Sequence, residues 1–302
     1  MKHKIITFGE LMLRLSPDNN ERFTQAHSYE AVYGGGEANT AVSLANFNVD
    51  TRYVTKLPNH TIGQSAVNSL RQYGVDVSRI VRGGDQIGIY FLEKKTSQRP
   101  TNVIYNRNGS AFALATKEDF DWNSIFEGAT WFHFSGITPA ISDNMAEITI
   151  EACKEAKKRN ITVSCDLNYR SKLWSSEKAN KVMSEVCKYV DICIANEDDA
   201  VGIFGMDASK SDKEKNAYIA EELTKMFPNF KMVASVWRTE TSITTFKLQS
   251  MIYTDGKAYY SQEFFMNILD YIGAGDAYCA GIIYSLILSL IHISEPTRQA
   301  EI

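Results

Sequence analysis

Ile5-Ile6-Thr7-Phe8 is a short, mostly apolar run that stops at Gly9, the pattern of a strand buried on both faces. Similar short runs fall at 52–56, 130–134, 162–165, 192–195 and 232–236. Between them lie stretches with helical spacing at 37–47, 62–73, 143–159, 177–189 and 213–226, and a last one opening after Gly275. Strand and helix in regular alternation predict an α/β fold. Its sheet is mostly parallel and is covered by helices on both faces, giving a three-layer α/β/α sandwich. Residues 11–33 and 87–113 break the rhythm, with apolar and polar positions alternating around polar turns. They are expected to meet as a small separate β-sheet, a lid built from two insertions. No Gly/Ser linker, low-complexity segment or repeat divides the chain, so one domain is expected over 1–302.

Composition narrows the class. The 302 residues are 44% hydrophobic and 23% charged, which is ordinary for a globular chain with a sizeable core. The net charge of −4 carries no basic excess, so no nucleic-acid partner is expected. The five cysteines are scattered and form no CxxC pair, which reads as buried, reduced thiols in a cytoplasmic protein. The opening MKHKIITFGE lacks the apolar core of a signal peptide. The longest apolar run, near 279–293, is short for a membrane span and contains Ser285, Ser289 and His292, so it reads as a buried core helix.

The candidate chemistry sits at residues 270–278, DYIGAGDAY, where a turn of small residues opens into that apolar helix. Backbone N–H groups of such a turn, with the positive end of the helix, form an anion site. A carboxylate there, Asp276, opposes anion binding but suits a general base that takes a proton while the N–H groups stabilise a phosphoryl group. The same Asp could instead cap the helix, the commoner use of Asp at that place, and spacing alone leaves both readings open. Two rival motifs fail. Tyr278 stands where a dinucleotide fingerprint needs its third glycine, and no GxxxxGK[ST] occurs.

GAGDAY resembles the signature of the ribokinase-like (PfkB) sugar kinases, and further motifs stand before it in that family's order, the resemblance running over about 4–290. GGGEANTA at 34–41 is similar to the family's sugar-binding element, and NEDD at 196–199 to its N-x-x-E motif, with Asp199 in place of Glu. TKLPNHTIGQSAVNSLRQYGV, YNRNGSA and DLNYRSKLW are similar to the branch that acts on 2-keto-3-deoxygluconate. This resemblance implies a ribokinase-like fold and transfer of a phosphoryl group from ATP, with Mg²⁺, to a sugar acid.

By the same resemblance Asp276 is the base, and the N–H groups of Ala274, Gly275 and Asp276 after Gly273 form the anion hole. Sugar contacts are expected from Gly34, Gly35, Asn39, Tyr90, Tyr105, Arg107, Arg170 and Asp270. Arg107 and Arg170 are expected to neutralise the acid, which a guanidinium does bidentately. A surface ion pair is the plain alternative for either arginine. Asn196, Asp199, Ser235 and Arg238, with Gly273 and Gly275, are expected on the nucleotide side, Asp199 touching the metal only indirectly. Asp166 and Asn168 could orient phosphates or simply form a turn. A dimer through the lid is implied as well. The tail at 291–302 does not continue the helix, because Pro296 ends it, and is expected to be non-native. Helices that wall the family's adenine pocket would then be missing, leaving an apolar face and weak ATP binding. A fructokinase or ribokinase, or a non-catalytic sugar-binding protein on this fold, is the rival reading.

Overall fold

The structure, a computed structural model, describes residues 3–96, 98–207, 215–240, 245–267 and 272–289. The expected tail and Asp270 therefore lie outside the described residues. The chain starts with β1 (Lys4–Phe8), leaves it for β2 (Met12–Pro17) and β3 (Tyr29–Gly34), and returns through α1 (Gly36–Asn46) and β4 (Asp50–Val54). A short segment of β5 (Lys56–Leu57), α2 (Thr61–Arg71) and β6 (Val81–Arg82) leads to a second excursion, β7 (Gly88–Glu93) and β8 (Asn102–Asn106). Then come α3 (Trp122–Ile125), β9 (Trp131–Ser135), α4 (Ile137–Ala140), α5 (Asp143–Lys158), β10 (Thr162–Asp166), α6 (Ser176–Val186), β11 (Ile192–Ile194), α7 (Glu197–Phe204) and α8 (Lys215–Met226). The last described elements are β12 (Met232–Glu240), β13 (Thr245–Thr254), β14 (Lys257–Tyr260), β15 (Phe264–Asn267) and α9 (Ala274–Ile287).

The large sheet has the order β14-β13-β12-β11-β10-β9-β1-β4, and β15 also pairs with β13. Every pairing from β4 to β12 is parallel. The antiparallel edge of β13, β14 and β15 goes beyond the expected pattern. Pairing with β13 also carries β12 past the expected stop at Val236, as far as Glu240 opposite Phe246.

Burial explains why the parallel strands read as apolar runs. Odd and even positions face two different cores. On one face Ile5, Trp131, Ile192 and Met232 pack with Leu44 of α1 and with Cys279 and Ile283 of α9. On the other, Ile6, Phe132, Cys193 and Val233 pack with Met145, Met183, Ile203 and Leu223 of α5 to α8. All five cysteines are free and buried. Among the described residues no helix is long and apolar enough to cross a membrane.

The two insertions do meet. β2 pairs in parallel with β7, which joins the hairpins into a four-stranded sheet of order β3-β2-β7-β8. Its root packs on α1 and α2 through Leu11, Ala38, Ala41, Leu70 and Ile87.

Candidate active site

Parallel strands deliver their C-terminal ends to one edge of the sheet, the usual place for a ligand in this architecture. Here β1 ends before Glu10, β10 ends at Asp166, and β11 is followed by Asn196 at the start of α7. The start of α9 joins them. Gly273 caps that helix with φ 86°, a left-handed conformation that glycine adopts without strain. The first intrahelical bond runs from Ala277 N–H to the Gly273 carbonyl at 2.9 Å. The N–H groups of Ala274, Gly275 and Asp276 thus have no acceptor within the helix and point outward with its positive end.

Among the described residues the Asp276 side chain accepts no hydrogen bond from the first turn of its own helix. Its Oδ2 accepts from Asn39 Nδ2 at 2.7 Å instead, and its backbone carbonyl accepts from Thr40 Oγ1 at 3.2 Å. Burial raises the pKa of Asp276, while the Asn39 hydrogen bond and the Arg170 charge act the other way. Spacing left two readings open, and the bond to Asn39, a residue outside α9, is not the contact a cap makes.

Two clefts meet at this helix start. The first, about 380 Å³, is lined by Gly34, Asn39, Gly273, Arg14 and Tyr90 among others. The second, about 300 Å³, is lined by Asp166, Asn168, Arg170, Asn196, Asp199, Arg238 and Gly275, among others. Asn39 and Gly273 thus line one cleft and Gly275 the other, whereas Asp276, bonded to Asn39 and next to Gly275, lines neither.

The expected sugar contacts divide. Gly34, Asn39 and Tyr90 line the first cleft. Gly35 stands behind it, where a Cβ would lie 2.1 Å from the Glu10 carbonyl oxygen, so only glycine fits this approach. Tyr105 pairs across the small sheet with Tyr90, ring centroids 5.8 Å apart, and is 49% exposed. Arg170 lines the second cleft, not the first. Arg107 reaches neither. It is 7% exposed and donates through Nε to Glu10 Oε2 at 2.7 Å, with Nη2 on the same oxygen. Ser110 Oγ donates to the other Glu10 oxygen at 2.5 Å.

Of the residues expected at the nucleotide, Asn196 and Asp199 form a capping box at the start of α7. Both Asp199 oxygens are engaged, Oδ1 by Tyr169 N–H at 2.7 Å and Oδ2 by Asn196 N–H at 3.0 Å. Burial nevertheless lifts the Asp199 pKa to about 6. Ser235 is buried and its hydroxyl donates to the Ala195 carbonyl at 2.6 Å, a pin between β12 and the end of β11. Arg238 lines the cleft from β12. Asp166 is pushed well up by burial and by the nearby Asp199 and Asp276 charges, and Asn168 Nδ2 donates to it at 3.2 Å. Among the described residues no group of three or more His, Cys, Asp or Glu could hold a metal ion.

Two acids escape a reading of the sequence. Glu10 pairs with a residue 97 positions away. Glu37 looks like an ordinary acid in the first turn of a helix, yet it is 3% exposed. Its Oε1 accepts from Ser135 N–H at 2.8 Å, Ser135 Oγ at 2.6 Å and Thr138 Oγ1 at 3.0 Å. It thereby bolts the first turn of α1 to the end of β9.

A parallel sheet covered on both faces, with two clefts beside the start of α9, is a doubly wound α/β architecture. The chain belongs to the pfkB family of carbohydrate kinases, whose family profile matches residues 2–291. The crystal structure of 2-dehydro-3-deoxygluconokinase from Thermotoga maritima superposes with a TM-score of 0.91 and 44% identity, over 95% of this chain and 88% of that one. The 2-dehydro-3-deoxygalactonokinase of Haloferax volcanii is 33% identical over 290 residues, 95% of this chain and 85% of the relative. The 2-dehydro-3-deoxygluconokinase of Thermoproteus tenax is 27% identical over 302 residues, covering 99% and 85%.

Proposed function

We propose that this kinase transfers the γ-phosphoryl group of ATP to the terminal hydroxyl of 2-keto-3-deoxygluconate, with Asp276 as general base. The observation that carries this reading is the hydrogen bond that joins the Asp276 carboxylate, in the first turn of α9, to Asn39 of the first cleft, one residue after Gly275 of the second. The sugar occupies the first cleft and the nucleotide phosphates the second.

The chemistry follows from this placement. Asp276 takes the proton of the attacking hydroxyl, a role worth about 10²–10⁴ in rate. The N–H groups of Ala274, Gly275 and Asp276 stabilise charge on the moving phosphoryl group. Arg170, Arg238 and Asn196 hold the phosphates, and a small sheet closing over the sugar keeps water out. Magnesium neutralises phosphate charge when bound. Asp166 and Asp199 are the carboxylates that line this cleft, and Asp199, with both oxygens on backbone N–H groups, would act on the ion only through the start of α7.

A sugar acid suits the field of the first cleft. Among its described lining residues Arg14 is charged and none is acidic. The relatives named above act, by their names, on 2-keto-3-deoxy acids that differ in configuration at one carbon. Assembly through the small sheet into a dimer is part of the same reading, supported by the exposed Ile104 and Tyr105 on β8. A coupled assay with ATP against both epimeric keto-deoxy acids, fructose and ribose tests the substrate. Turnover highest on 2-keto-3-deoxygluconate is expected, and a preference for a neutral sugar overturns the assignment.

A further inference from the structure

Asn39 lies on α1, 237 residues before its hydrogen-bond partner Asp276. Its side-chain amide has two ends with different neighbours. Nδ2 donates to Asp276 Oδ2 at 2.7 Å, and Oδ1 faces Gly34, where a Cβ would come within 3.5 Å. One residue on, Thr40 Oγ1 lies 3.1 Å from the Gly36 carbonyl and 3.2 Å from the Asp276 carbonyl. The second carboxylate oxygen, Asp276 Oδ1, faces Gly36, which has no side chain to cover it; a Cβ there would sit 3.4 Å away. Behind this contact Glu37 fixes the helix turn to Ser135 and Thr138.

We propose that Asn39 is a positioning residue that holds Asp276 Oδ2 from across the site, so that Oδ1 alone is presented to the proton of the substrate hydroxyl. The inference rests on the reading of Asp276 as base. A free carboxylate turns about its Cβ–Cγ bond, and intermediate rotations put neither of its equivalent oxygens on the line of approach. One fixed amide removes that freedom, and Thr40 fixes the backbone to which the carboxylate is attached.

The hydrogen bond also favours the charged form. Of the charged and titratable groups near Asp276, Arg170 after β10 acts on it directly; its own charge acts on Asp166 at the end of β10 and on Cys279 of α9, as does that of Glu37 on α1. Arg170 supports ionisation of the base, whereas burial opposes it. Asp166 and Glu37 add negative charge in the same region when ionised. Asn39 is the neutral donor that acts with Arg170. Loss of its hydrogen bond therefore raises the Asp276 pKa, and activity that needs the ionised base is lost at a higher pH than before.

The test is the pH profile of kcat and of kcat/KM for wild type, Asn39→Ala, Asn39→Asp and Asp276→Asn, each first checked for a cooperative thermal transition. Asn39→Ala is expected to move the acidic limb of kcat upward by about one pH unit or more. Asn39→Asp keeps the shape but sets a second carboxylate against the base, so its limb moves further. Limbs that stay at the wild-type position in both variants, with only KM raised, overturn the inference and leave Asn39 a plain substrate contact. Should Asn39→Ala fail to fold, the near-isosteric Asn39→Asp decides alone. Asp276→Asn separates the two claims. An inactive Asp276→Asn with unmoved Asn39 limbs sinks only the positioning role, whereas an active Asp276→Asn sinks the base itself.

Discussion

Arg107 Nε donates to Glu10 Oε2 at 2.7 Å, an ion pair that ties the end of the small sheet to the loop leaving β1. Both side chains are nearly sealed from water, with 8% of Arg107 and 2% of Glu10 exposed. Removing one partner of a buried pair leaves the other charge without compensation, at about 3–5 kcal/mol. Arg107→Ala is therefore expected to lower the unfolding free energy by that amount in a urea titration. Its residual activity should fall by the same factor on acid and neutral sugars. A loss confined to acid sugars would return Arg107 to the substrate's carboxylate.

Gly35 tests the close approach of the α1 N-terminus to β1. A Cβ there would sit 2.1 Å from the Glu10 carbonyl oxygen, which is backbone and cannot swing away. Gly35→Ala must push the first turn of α1 from its seat, and overpacking of this kind costs about 1–3 kcal/mol or more. The expected result is a lower Tm together with a raised sugar KM, because Gly34, which lines the first cleft, moves with its neighbour. An unchanged KM in a folded Gly35→Ala protein contradicts the placement.

Glu37 gives a pH dependence with a definite sign. Burial raises its pKa above the ordinary 4.5, against the pull of Ser135 and Thr138. A carboxyl group with a raised folded pKa binds its proton more tightly in the native state than in the unfolded one. Its favourable contribution is full at pH below 4.5 and is lost as pH rises through the higher folded value. The isosteric Glu37→Gln does not ionise. The stability of wild type relative to Glu37→Gln should thus decline as pH is raised from 4 to 7, read as the difference in Tm at each pH. A difference that grows in favour of wild type over that range contradicts the assignment of burial as the dominant cause.

The parts of the molecule legible in the sequence are those whose cause is local. Ile5, Trp131 and Ile192 sit in strands buried on both sides, and such strands must be apolar at consecutive positions. The start of α9 is legible because Gly273, Ala274 and Gly275 announce a tight turn whatever surrounds it. Residues 11–33 and 87–113 announce exposed strands, and the parallel pairing of β2 with β7 makes them one sheet. What stayed hidden depends on distant partners. Arg107 could not be known to face Glu10, nor Glu37 to be buried under Ser135, from the residues beside them. Arg170 follows a core strand, as expected, but which of two clefts it enters is decided by the turn at Asn168, whose φ is 38°. The antiparallel edge was illegible for a different reason. β13 is half-buried along most of its length, so its side chains carry no clean alternation.

The account stands on the Asp276 carboxylate, and single-turnover kinetics of Asp276→Asn with ATP and 2-keto-3-deoxygluconate test it most directly. The substitution keeps the volume and the first turn of α9, so the thermal transition should stay cooperative and nucleotide binding should survive. Phosphoryl transfer is predicted to slow by about 10²–10⁴. Transfer within tenfold of the wild-type rate would contradict a general base at this position and, with it, the proposed mechanism.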